Sequence, residues 1–186
     1  MTRQASRTGG CAAQWGDYVL PQQRQDETST RTILTTREEV QAATAAVAAT
    51  AKRLMAIYTG DLEPALYDQP RFIEPVKRLV LASGFARVRV LLADPTRAMY
   101  ESSKFIALAR RITSYIEIRH LNPRLRSETP AFLISDDRAI VYRLQAARWD
   151  GICDLNDPAV ARLYLNIFDE AWAASAPDAE TRQQHL

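Results

Sequence analysis

The chain has 186 residues, 47% of them hydrophobic and 25% charged, with a formal net charge of +2 at pH 7. That balance fits one globular core with appendages and excludes a partner drawn in by bulk charge, so nucleic acid is not an expected ligand. No apolar run approaches the roughly 18 to 20 residues needed to span a bilayer, because Arg, Asp or Glu interrupts each one, and a cytoplasmic protein with no membrane contact is expected.

Residues 1–34 read as a disordered arm. They are rich in Gln, Arg, Thr, Ser and Gly, and the one apolar island, QWGDYVLPQQ, keeps no helical or strand period. Trp15, Tyr18 and Leu20 in that island offer side chains for docking on a partner. Cys11 and Cys153 lie far apart in segments of different character, so free thiols are expected rather than a disulfide framework. RTGGCAA is not expected to act as a lipoprotein cleavage site, since residues 1–10 hold no apolar signal core.

Residues 35–175 are expected to form the domain. Thr35 or Thr36, with Glu38 or Glu39 three positions on, is the signature of a capped helix. Within REEVQAATAAVAATAKRLM the residues Val40, Ala43, Val47, Ala51 and Leu54 share one face, narrow enough to pack closely on the domain's own sheet or on a second subunit. LMAIY then reads as a buried strand and TGDLEPALYDQP as a turn-rich link. Pro70 opens a second helix with Phe72, Val76, Leu79 and Val80 inward, irregular at Pro75 and closed by Gly84 as a left-handed cap. ARVRVLLAD has the pattern of a strand entering a covered sheet.

Asp94 and Pro95 signal a third helix whose buried surface is Met99, Phe105, Ile106, Leu108, Ala109 and Ile112. SYIEIRHL alternates as a strand, NPRLRSE is a loop, and PAFLISDDRAIVYRL places two apolar runs around Asp136, Asp137 and Arg138, as a hairpin does. A last helix opens at Asn156 or Asp157 with Pro158 in its first turn; Val160, Leu163, Tyr164, Ile167, Phe168 and Trp172 form its apolar face. Residues 176–186 are a polar tail. Strands alternating with long helices predict an α/β domain, a layered mixed β-sheet flanked by helices with a hairpin near its end.

The order of elements, with TPAFLISDDRAIVYR and NIFDEAW, resembles one half of the phospholipase D-like superfamily over about residues 55–174. That superfamily carries His-x-Lys-x-x-x-x-Asp on a late strand and Gly-Ser-x-Asn after the return strand. With Asp136 as the motif aspartate, Thr129 stands at the histidine and Ala131 at the lysine. Arg143, Leu144 and Ala146 stand at the Gly, Ser and Asn positions of the second motif. The resemblance implies two-step phosphoryl transfer in which an imidazole attacks phosphorus and a lysine holds its oxygens. Threonine and alanine supply neither, so a pseudoenzyme is expected. A second likeness, carried by IYTGDLEPALYD and LLADP with RRITSYIEIR, is to an uncharacterised bacterial domain that sometimes accompanies an N-acetyltransferase domain; it implies partners and no activity.

His120 and His185 have no Cys or His at ligand spacing, so no metal and no cofactor are expected. His120 beside Arg119 is a candidate acid or base, or simply a half-exposed histidine. Arg119, Arg124, Arg126 and Arg143 are the candidate anion-binding set, joined by Arg138 and Arg148, because guanidinium forks suit phosphate oxygens. The alternative is a solvated surface paired with Glu117, Glu128, Asp136 and Asp137. Asp136 and Asp137 point to opposite faces if extended and read as turn residues. SGFAR and TGD lack the glycine density of nucleotide loops. The expected function is a non-catalytic binding or scaffolding domain for a small anionic ligand, a protein partner or a second copy. The alternatives are a phosphodiesterase built on His120, Arg119 and Arg143, and a nucleic-acid-binding module.

Overall fold

A computed structural model describes residues 31–94, 96–98, 103–122 and 130–177. In chain order the elements are β1 (Thr32–Leu34), α1 (Arg37–Thr50), β2 (Leu54–Thr59), α2 (Pro64–Tyr67), α3 (Pro70–Ala82), β3 (Arg87–Leu92) and α4 (Ser103–Arg111). Then follow β4 (Ile116–His120), β5 (Ala131–Ser135), β6 (Ala139–Arg143), β7 (Gly151–Asp154), α5 (Pro158–Ala173) and β8 (Ala176–Pro177). They build one mixed sheet in the order β1-β7-β6-β5-β2-β3-β4-β8. β2, β3 and β4 run parallel, and every other pairing is antiparallel.

Each face of the sheet has its own core, as strands of alternating direction of side chains require. Met55, Ile57, Val88, Val90, Leu133 and Val141 face α1, α3 and α4. Ala56, Tyr58, Leu91, Phe132, Ile134 and Ile140 face α5. α1 begins where expected: Thr36 accepts from the Glu39 amide while the Glu39 carboxylate accepts from the Thr36 amide. Its stripe packs on the domain's own strands β5, β6 and β7, and the helix stops at Thr50, before Ala51 and Leu54 of the expected stripe. Lys52, Arg53 and Leu54 then present successive backbone N–H groups to the Asp136 carboxylate at 3.0, 2.9 and 3.0 Å. Asp136 sits in the hairpin turn at φ 58°, a backbone state that aspartate tolerates better than most residues.

Several expectations are corrected. The arm does not extend to residue 34, because Thr32–Leu34 pairs antiparallel with β7; residues 1–30, with Cys11, lie outside the described set. Gly84 is no left-handed cap: no described glycine has positive φ, and α3 ends on Ser83 in extended backbone. TGDLEPALYDQP contains a helical turn, α2, not turns alone. The third helix is described as α4 and residues 96–98, with Pro95 and Met99 outside the described residues. The α4 amides of Lys104 and Phe105 donate to Asp68, an acid from the loop two elements earlier. On α5, Leu163 is 39% exposed, and Ala161 and Ala171 take its place on the buried face. Small residues there let the helix lie close on the sheet.

Two expected outcomes follow. Asp136→Ala removes one acceptor from three amides and costs about 2 kcal/mol in denaturant unfolding, whereas Asp137→Ala, whose partner is the exposed Arg162, changes stability by less than about 0.5 kcal/mol. Burial pushes the Cys153 thiol up to about 11, with Asp154 adding to the shift. In a Cys11→Ser chain, Cys153 is therefore expected to resist a thiol reagent at pH 8 until denaturant is added.

Candidate functional site

The loops that follow the parallel strands meet the loop after β6 around a cleft of about 900 Å³. Gly60, Asp61 and Glu63 come from the end of β2, Ala93 and Asp94 from the end of β3, and Ala146, Ala147 and Trp149 from the β6–β7 connection; Arg37 and Arg97 complete the polar walls. β2 has β3 on one side and the antiparallel β5 on the other. The cleft thus lies outside the carboxyl ends of the strands, where the connectivity reverses and open α/β sheets place their ligands.

Local backbone chemistry shapes the rim. The amides of Ala93 and Asp94 donate to the carbonyls of Thr59 and Gly60 at 3.1 and 2.7 Å, continuing the β2–β3 pairing past both strands. Leu62 is held at φ 55° with its side chain fully buried. A γ-branched residue in that region is a strained one, and its burial between Asp61 and Glu63 fixes where both carboxylates stand. Asp61 pairs with Arg97 at 3.0 Å, and the Arg97 amide donates to Asp94 at 3.1 Å.

Under the cleft, Arg143 is only 3% exposed. Both of its terminal nitrogens donate to the two oxygens of Glu63. One of them also donates to the carbonyls of Ala146 and Arg148, at 2.9 and 3.1 Å, and the guanidinium lies 5.0 Å from the Trp149 ring. Gly151 makes the fit possible: a Cβ there would stand 2.6 Å from the Tyr142 carbonyl oxygen and 3.0 Å from the Arg143 side chain. Burial pushes the Glu63 carboxyl above its ordinary value; Arg143 opposes that rise without cancelling it, and Asp61 adds to it.

The candidate residues from the sequence that fall among the described residues are dispersed. Ala131 and Arg143 are register partners on neighbouring strands, both buried. Arg119 lies on the opposite face of the sheet and four strands away: it donates to Glu117 at 2.9 Å and to the Trp172 carbonyl at 3.0 Å, and stands 4.3 Å over the Trp172 ring. Asp136 is at the far end of β5, clamping the entry to β2. Thr129, Arg124 and Arg126 lie outside the described residues. His120 is half-buried at the end of β4 and does not line the cleft. Arg138 and Arg148 bond to Asn156 and Asp150. The described arginines do not converge, because alternation along β4 and β6 sends Arg119 and Arg143 to different faces.

The cleft's own polar residues, Arg37, Asp61, Glu63, Asp94, Arg97 and Trp149, form no motif in the sequence. The three acids share only position: each follows the end of a parallel strand within four residues. Among the described residues, no group of three His, Cys, Asp or Glu is placed to hold a metal ion. None of their helices is long and apolar enough to cross a membrane.

Solved structures with the same arrangement include Nuc from Salmonella typhimurium, a phospholipase D family member, 10% identical with a TM-score of 0.56 over 81% of this chain and 98% of that one. NucT from Helicobacter pylori is 10% identical, TM-score 0.52, over 81% and 98%. TrmBL2, an archaeal chromatin protein whose structure shows a novel mode of DNA binding, is 19% identical, TM-score 0.59, over 80% of this chain and 53% of that one. This chain thus spans about half the length of TrmBL2. At these identities the likeness is one of fold, and the fold is phospholipase D-like.

The chain belongs to the family described as a domain of unknown function (DUF7931), whose model matches residues 36–184. None of the curated proteins matches it. The expected association with N-acetyltransferase domains finds no support among these matches.

The Arg143–Glu63 pair sets a pH-dependent expectation. Arg143→Met leaves the partly buried Glu63 carboxylate without its cation, a loss of about 1–3 kcal/mol near neutral pH. With Glu63 already raised and its main opposing charge gone, the folded variant holds a proton more tightly than the unfolded chain. Its stability should therefore recover as pH falls toward and below the ordinary carboxyl range and decline as pH rises through the folded value. Urea titrations at several pH values check the slope.

Proposed function

We propose that this chain is a non-catalytic binding domain on the phospholipase D-like fold, with the cleft at the carboxyl ends of β2 and β3 as its ligand site and an anionic group as its ligand. The observation that carries the reading is the Ala131–Arg143 pairing: the residue that the sequence resemblance aligns with the motif lysine is a buried alanine, and the cation beside it is a guanidinium held by Glu63. An alanine methyl can neither attack phosphorus nor hold its oxygens. The cleft walls add Arg37 and Arg97, opposed by Asp61 and Asp94, which suits one small anion oriented among fixed charges better than a long polyanion.

The test is direct. The purified chain is expected to leave bis(p-nitrophenyl) phosphate intact while Trp149 responds to dimethyl phosphate, followed by fluorescence in a chain with Trp15 and Trp172 replaced by Phe. Turnover that disappears in His120→Ala would establish the phosphodiesterase instead.

One observation favours a second reading: the TrmBL2 structure, similar in fold, is described as binding DNA. Affinity for duplex DNA that falls steeply with added salt supports a nucleic-acid role for this chain. Equal, weak signals at all salt concentrations remove it.

A further inference from the structure

We propose that Arg143 is an anion seat which Glu63 occupies in the resting protein, and that a phosphate-type anion entering the cleft takes the guanidinium from Glu63. This rests on the reading of the cleft as an anion-binding site and names the residue that receives the anion and the one that yields.

The geometry separates the two halves of the pair. Arg143 has anchors besides Glu63: the Nη1 that reaches one Glu63 oxygen also donates to the Ala146 and Arg148 carbonyls, and the guanidinium lies beside Trp149. It therefore stays in place when the carboxylate leaves. Among the described residues the Glu63 side chain bonds only to Arg143; it is 18% exposed and lines the cleft. Glu63, and not Arg143, lines the cleft, so an anion reaches the guanidinium only where Glu63 yields. Glu63 follows Leu62 at φ 55° and caps α2 without a side-chain hydrogen bond, so the carboxylate has no local helix bond to break. Two oxygens on the guanidinium fork are the pattern by which arginine also holds phosphate.

Exchange is the way such a seat can open. A guanidinium this buried is costly to leave without a counter-charge, so release of Glu63 is coupled to arrival of another anion. The charged groups around Glu63 are Asp61 beside it, Arg97 paired with Asp61, Asp94 across the cleft, Arg37 from α1 and the buried Tyr67 of α2. Protonation weakens the hold of Glu63 on Arg143, and burial already moves that carboxyl upward.

The experiment uses the full chain and dimethyl phosphate, a monoanion throughout the working pH range, followed by calorimetric titration between pH 5 and 8. Wild-type affinity is expected to rise as pH falls. Glu63→Ala should bind about tenfold more tightly at pH 8, a gain of about 1.4 kcal/mol, with a flat pH profile. Glu63→Gln, which keeps the shape and removes the charge, should lie between them with the same flat profile. Adding Arg143→Met to either variant should abolish binding. Should Glu63→Ala and Glu63→Gln bind no more tightly than wild type, or should binding survive Arg143→Met, the seat is not Arg143. Binding that is unaffected by every one of these substitutions overturns this assignment while leaving the cleft as the ligand site. Silence in all chains at all pH values overturns both.

Discussion

The seam between β2 and β5 is the constraint on which the rest of the molecule depends. There the parallel half of the sheet meets the antiparallel half, in a register running from Met55 opposite Ser135 to Tyr58 opposite Phe132. Side chains on both strands are buried on both faces. A slip of one residue would send Phe132 and Ile134 under α1 and Leu133 under α5, two packing environments built for different shapes. The register is pinned twice more: the Ser135 hydroxyl donates to the Val47 carbonyl at 2.7 Å, and Asp136 gathers the amides that lead into β2. With one end of the seam tied by Asp136, the other end delivers Ala131 and the loop after Thr59 to the same edge. The position of the cleft follows from that.

The second organising feature is how the fold spends its arginines. α5 packs on β2, β5 and β6, and the sheet continues beyond it to β3 and β4. Arg89 and Arg119 bridge the difference: Arg89 pairs with Asp169 at 2.7 Å and lies 5.0 Å from the Phe168 ring, while Arg119 lies over Trp172 and bonds to its carbonyl. Each such cation–aromatic contact contributes about 0.5–2 kcal/mol according to its exposure. On the other face Arg143 ties the β2–α2 loop to the β6–β7 connection through Glu63, Ala146 and Arg148. Guanidinium groups that looked like a ligand-binding cluster in one dimension are thus in part long-range connectors between elements.

The sequence was most legible where local chemistry decides the outcome. Thr36 with Glu39, Asp157 with Pro158, and the alternation of Ile116 and Ile118 against Glu117 and Arg119 each needed no knowledge of the rest of the chain. β1 and β7 were not legible, because three or four residues with one exposed face carry no period, and Thr32–Leu34 becomes a strand through Gly151–Asp154. The hairpin was legible but the reason for its aspartate was not: Asp136 serves amides 82 to 84 positions earlier. The site was the least legible part. Glu63 reads as a turn residue until β6 places Arg143 beneath it, and the opposite facing of Arg119 and Arg143 depends on a strand order that composition does not encode.

The floor of the cleft shows how the proposed recognition of an anion is compatible with the chain's near-neutral charge. A cation left at the surface of a 900 Å³ hollow would be hydrated and would attract anions of every kind. Arg143 is instead taken out of water, at a cost that its Coulomb attraction to Glu63 offsets only because both oxygens and both backbone carbonyls are in bonding distance. The field reaching an approaching ligand then comes from the walls, where Arg37 and Arg97 are opposed by Asp61 and Asp94. That field is short in range and structured, so discrimination has to come from fit to fixed groups at close contact rather than from steering at a distance.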